Sequence, residues 1–190
     1  MNAGSLALVL VTAIALGACD LPGTVPANVA VVVNGTSIPS SHYDHLIAVA
    51  KRTSEAQGNR IDAGSTSGQA RLKEIQALAI RGLVHEVVTR ALAQEKKVQV
   101  SDQELDQAIK DVATAVGGQQ KLKQRLDQYG QSEQDFRDQL RLARLQTKLR
   151  NADGAYASHF NDALKSARIM AYVPPCDQDH EYPRCIGGTP

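Results

Sequence analysis

The 190-residue sequence contains no tryptophan, only two phenylalanines and five tyrosines. So few flat rings argue against a stacking platform for bases or sugars. Charge of neither sign prevails, 21 Lys plus Arg facing 20 Asp plus Glu. Without a surplus there is no net field to draw a polyanion, and nucleic acid is not an expected partner. Phosphate-cradling glycine loops are missing, as are Ser, Cys or His arrangements that pair a nucleophile with a base. No catalytic residue and no cofactor are therefore expected. Long apolar runs are absent too, except for one near the N-terminus.

That run, Ser5 to Leu16, is almost unbroken and ends in Leu16-Gly17-Ala18-Cys19. It is short for a bilayer span, which takes about 20 residues. The small residues before a cysteine resemble a bacterial lipoprotein signal. The resemblance implies cleavage of residues 1–18 as a signal peptide and attachment of diacylglycerol to the Cys19 thiol. The mature chain would then be anchored by acyl chains on the extracytoplasmic side of a bacterial membrane. Met1 to Leu6 carries neither Lys nor Arg, which departs from the basic start of such signals. The competing reading is an ordinary signal peptide, or an uncleaved anchor, with an incidental cysteine. Asp20 directly after the cysteine resembles the inner-membrane retention signal of some Gram-negative bacteria. Residues 19–28 hold Pro and Gly without periodicity and read as a tether.

From Val29 the patterning changes. Val29 to Val33 is a β-branched run, Asn34-Gly35 suits a type I′ turn, and Thr36-Ser37-Ile38 supplies a second strand. A lone hairpin is marginal in water, so this one is expected to lie against helices. Ser41 with Asp44 offers a capping box for a helix through about Arg52, with Tyr43, Leu46, Ile47 and Ala50 inward. Thr53 to Gly68 is polar, with Ile61 its one large apolar side chain, and reads as a mobile loop over residues 53–68. A long helix follows from about Gly68 to Lys97. Its stripe of Leu72, Ile75, Ala79, Leu83, Val87 and Ala91 is widened by Ile80, Val84, Val88 and Leu92. Such a face is too broad for a lone surface helix and has to be covered. Gly82 interrupts it and marks a candidate close approach between helices.

Ser101 with Glu104 forms the clearest capping box, opening a helix that ends at Gly117-Gly118. Gln119 to Tyr129 is a short helix stopped by Gly130. Ser132 to Asp135 opens another that runs to Arg150, acidic first and basic last, its basic end read as a solvated face. Tyr156 to Ser166 resumes helical periodicity, and Arg168 to Val173 is a candidate strand. The fold class expected is mostly α: a helical bundle with a small N-terminal two-stranded β-hairpin, one domain over residues 29–173.

Residues 174–190 form an irregular tail with Cys176 and Cys185. An exported protein meets oxidising conditions, so a disulfide between these two is favoured. The alternative, zinc held with His180, falls short of a closed tetrahedral set. His42 and His45 share a helical face around Asp44, but a third and fourth ligand are not visible, and no metal site is expected. His85 beside Glu86 reads as a partly exposed pair without a chemical task.

The stretch Val31-Val32-Val33-Asn34-Gly35-Thr36-Ser37-Ile38-Pro39-Ser40 resembles the N-terminal domain of the SurA and PrsA family of extracytoplasmic chaperones. Leu83 to Val88 and Glu95 through Leu105 look like that family's long helix, its turn and the next helix start. Tyr129-Gly130-Gln131-Ser132-Glu133-Gln134-Asp135-Phe136-Arg137 is similar to the start of its last helix. The resemblance covers about Val29 to Arg150. Full-length members carry a parvulin prolyl isomerase domain of roughly ninety residues, whereas 40 residues follow Arg150 here. Isomerase activity is therefore not carried over. What the resemblance implies is a lipid-anchored holdase for unfolded or exported polypeptides, with an envelope adaptor for one folded partner as the alternative. The peptide-binding surface is sought among surplus apolar positions of the long helix and the 53–68 loop, all of which compete with plain core packing.

Overall fold

A computed structural model describes residues 28–173, and among these it shows six helices and three strands. β1 (Val29–Val33) and β2 (Thr36–Pro39) form the expected antiparallel hairpin. Asn34 and Gly35 both take positive φ, 51° and 83°, as a type I′ turn requires. The hairpin does not stand alone. β3 (Ile169–Ala171) pairs antiparallel with the other edge of β1, giving the order β2-β1-β3. The turn itself sets this register, because Asn34 donates its N–H to the Arg168 carbonyl (2.9 Å) and its side-chain oxygen accepts from the Arg168 N–H (2.8 Å).

α1 (Ser40–Ala56) follows β2 without a break. The capping box expected at Ser41 and Asp44 does not form, since both lie inside the helix and the N-cap is Pro39 with no side-chain hydrogen bond. The Ser40 N–H instead donates to the Asn28 carbonyl at 2.9 Å, so the hairpin backbone provides what a side chain was expected to provide. α1 also outruns Arg52, and the connection to α2 (Thr66–Glu95) narrows from the expected 53–68 to residues 57–65. That connection is tied down at several points: the Ser54 hydroxyl donates to the Asn59 carbonyl (2.9 Å), and Asp62 accepts from the Gly64 and Ser65 N–H groups. Ser65 then caps α2 by accepting from the Gly68 N–H.

α2 is the spine of the molecule. Its buried Ile80, Leu83, Val84, Val88 and Leu92 share one core with Val31 and Val33 of β1 and with Leu145 and Leu149 further on. It ends in a Schellman motif: Val98 N–H donates to the Ala93 carbonyl at 2.8 Å while Lys97 takes φ 54°. The turn places Val98 and Val100 against the core. α3 (Asp102–Ala115), α4 (Gln119–Tyr129), α5 (Glu133–Ala152) and α6 (Tyr156–Ser166) complete the chain of helices. Ala113, Leu122 and Leu126 make a second, smaller cluster with Phe136 packed on it. Two clusters give α3 and α4 a small core of their own, joined to the body along α5 and α1.

Gly82 is exposed, and a Cβ built there meets nothing within 4 Å. It marks no close approach, contrary to expectation. Gly82→Ala is accordingly expected to stabilise the protein by about 1 kcal/mol through helix propensity alone, read as a rise in the urea unfolding midpoint at unchanged m-value.

Candidate functional site

α3 and α5, which frame an open cleft, are both fixed at their starts by capping boxes. Ser101 N–H donates to the Glu104 carboxylate (2.8 Å) while the Glu104 N–H donates to the Ser101 hydroxyl (3.2 Å). Ser132 and Asp135 repeat the arrangement on α5 at 2.8 and 3.0 Å. The acidic side chains thus sit where the macrodipole is positive, and on α3 they also face α5. Arg137 bonds Asp106 at 2.6 Å, Arg141 bonds Asp102 at 3.1 Å, and Lys148 meets Glu104 at 2.5 Å while donating to the Gln99 carbonyl at 2.8 Å. The basic part of α5 is therefore no simple solvated face. Each exposed pair is worth at most about 1 kcal/mol, but the row sets how α3 lies along α5.

The Glu104 carboxyl is pushed down to about 2, first by the hydrogen bond from Lys148 and then by the Ser101 backbone and hydroxyl. An unfolded glutamate titrates near 4.5. The stabilisation is thus complete above that value and is lost as pH falls towards the folded one. Glu104→Gln is expected to unfold at lower urea than the unaltered chain at pH 6, and the gap should close between about pH 4.5 and 2. A gap that stays constant with pH would assign the effect to the cap geometry instead.

Beside this ionic clasp α3 and α5 flank an open cleft of about 570 Å³, which Gln103, Gln107, Asp111, Arg144, Thr147 and Asn151 line together with the clasp's own Glu104 and Lys148. A second hollow of about 250 Å³ lies among α1, α2 and α5. Leu46, Val49 and Leu142 give it apolar walls, and His42, His45, Glu86, Arg90, Asp135 and Asp138 give it charged and polar ones. His45 Nε2 stands 3.0 Å from Asp135 Oδ2, joining α1 to the start of α5. Burial raises the Asp135 carboxyl, but the Ser132 hydroxyl and amide together with His45 outweigh it and hold it below its ordinary value.

The other residues singled out from sequence fall as follows. Glu86 accepts from Arg90 at 2.8 Å, and His85 packs edge-on against Phe160, ring centres 5.3 Å apart. The apolar surplus of α2 is covered by β1, α5 and α6, and Leu78 is the one large hydrophobic side chain exposed among the described residues, at 51%. Ile61 is half-buried. Cys19, Cys176, Cys185, the signal segment, residues 19–27 of the tether and the 174–190 tail lie outside the described residues. Among the described residues no three His, Cys, Asp or Glu side chains are grouped to hold a metal ion. No described helix is long and apolar enough to cross a membrane.

The order of hairpin, long helix, two capped helices and the short helix between them points to one family, and a family model described as the SurA-like N-terminal domain matches residues 3–150. The chain belongs to this family. A search of curated proteins found no match. The SurA-like N-terminal domain is a chaperone-type domain, and no parvulin domain is detected in the 190 residues. The matched span closes within α5, so α6 and β3 lie past its end. They nonetheless belong to the same core, since Ala167, Ile169 and Ala171 are buried in it and Tyr156, Phe160 and Leu164 pack on it. The ionic clasp and its cleft were not found from sequence. Their signal was present in Arg137, Arg141, Arg144 and Lys148 at steps of four, three and four, opposite an acidic helix start.

Proposed function

We propose that this SurA-like N-terminal domain is an extracytoplasmic holdase, anchored through diacylglycerol on Cys19, that binds unfolded or exported polypeptide segments without turnover. The observation that carries the reading is the family match from the N-terminal region through α5. The α3/α5 cleft suits the task. An unfolded segment presents backbone N–H and C=O groups that need partners. Gln103 and Asn151 carry amides that both donate and accept, so they serve a backbone with little regard to its side chains. Val100 adds apolar contact, and the clasp at Lys148 and Glu104 closes one wall. Few contacts of this kind imply weak, exchangeable binding in the micromolar range, about −8 kcal/mol. The Cys176–Cys185 disulfide belongs to the same proposal, as a closure of the tail in an oxidising compartment.

The test uses the full chain reconstituted in lipid vesicles and a chemically denatured model substrate diluted into buffer. Suppressed aggregation near stoichiometric ratio is the expected outcome. Cys19→Ala should abolish incorporation of labelled palmitate and move the protein out of the membrane fraction. A second reading, an adaptor for one folded envelope partner, is favoured by the coverage of the α2 stripe, which leaves Leu78 as the lone large exposed hydrophobe among the described residues. No suppression at molar excess, with one stoichiometric protein retained in a pull-down, would establish the adaptor.

A further inference from the structure

The cations of α5 form a ladder with one open rung. Arg137, Arg141, Arg144 and Lys148 succeed one another along a helical face. Arg137, Arg141 and Lys148 are each met by a carboxylate of α3. Arg144 has none: no described carboxylate lies within ion-pair distance of it, and its side chain lines the α3/α5 cleft. The cause lies in α3. Its carboxylates at Asp102, Glu104 and Asp106 are spent on the other rungs, and towards the cleft it offers Gln103, Gln107 and Asp111 beside the paired Glu104. The next carboxylate, Asp111, accepts from the Gln107 amide at 2.8 Å.

We infer that the cleft reads a carboxylate: it takes an extended polypeptide segment with an acidic side chain seated on the Arg144 guanidinium. This rests on the holdase reading, since the bound molecule is a polypeptide. Charge complementarity selects the side chain. Lys148 is already neutralised by Glu104, which leaves Arg144 as the cation of the cleft without a carboxylate, and a guanidinium receives a carboxylate through two parallel hydrogen bonds. The amides of Gln103 and Asn151 line the same cleft and are available to the backbone on either side.

Two unstructured peptides, identical but for a central Glu or Gln, are titrated by fluorescence anisotropy against the full chain in phosphatidylcholine vesicles. The Glu peptide is expected to bind about five- to tenfold more tightly, a gain that fades with added salt. Arg144→Gln should bring the Glu peptide to the affinity of the Gln peptide and leave the latter unchanged. Arg150→Gln, an exposed cation outside the cleft lining, should keep the preference. Equal binding by the unaltered chain overturns this inference alone, as does a preference that survives Arg144→Gln or disappears in Arg150→Gln. Failure to bind either peptide removes the holdase reading and this inference with it.

Discussion

Gly68→Ala is expected to lower the stability of the protein by about 2 to 3 kcal/mol, the sum of a lost cap and an overpacked contact. A Cβ at position 68 would stand 1.8 Å from the Asp62 carbonyl oxygen and 2.5 Å from its carbon. Both are backbone atoms, so a side-chain rotation brings no relief. The same carbonyl accepts from the Ser65 N–H and hydroxyl, and Ser65 in turn caps α2 through the Gly68 N–H. Moving residue 62 away therefore breaks the turn and the cap together. Urea unfolding should show the loss, and amide exchange should be fastest in the first turn of α2. Stability unchanged from the unaltered chain would mean that residues 57–65 shift at no cost, contrary to the hydrogen bonding seen there. Set beside Gly82→Ala, the experiment gives two glycines in one helix opposite signs.

Leu149→Ala should cost about 3 kcal/mol, within the range for a fully buried leucine whose surroundings relax only in part. Leu149 is 1% exposed and belongs to the core formed by Leu83, Val84 and Val88 of α2 and Val31 and Val33 of β1. With Leu145 it carries α5 into the main core, so the cavity would open between α5 and the spine. Leu78→Ala, which removes the same atoms from an exposed position on α2, should change stability by no more than about 0.5 kcal/mol. The contrast, read from denaturant midpoints, separates burial from hydrophobicity. Equal losses in the two variants would mean that the α2–α5 contact is not what stabilises this core.

These two variants also mark where the sequence was readable. The boxes at Ser101–Glu104 and Ser132–Asp135 form as their spacing indicates, because each involves a single turn of one helix. The Asn34-Gly35 turn is legible for the same reason, since positive φ is a property of the residues themselves. Ser41–Asp44 has the same spacing and forms no box, because the Asn28 carbonyl, brought close by the hairpin, accepts from the Ser40 N–H and the helix starts two residues earlier, with Pro39 as its N-cap. Gly82 and Gly68 look alike in the sequence, yet what surrounds a missing Cβ depends on the segment lying next to it.

Local chemistry by itself determined the hairpin, the number and order of the helices, the capped starts of α3 and α5 and the apolar face of α2. Each of these follows from residues within about one turn of one another. Tertiary structure alone decided which atoms face which across longer separations: that β3 completes the sheet on β1, that α5's cations meet α3's carboxylates, and that Arg144 is left over in a cleft. The physical reason is that periodicity records which face of a helix is buried or charged but carries no information on the partner. The partner depends on how all the faces are covered at once.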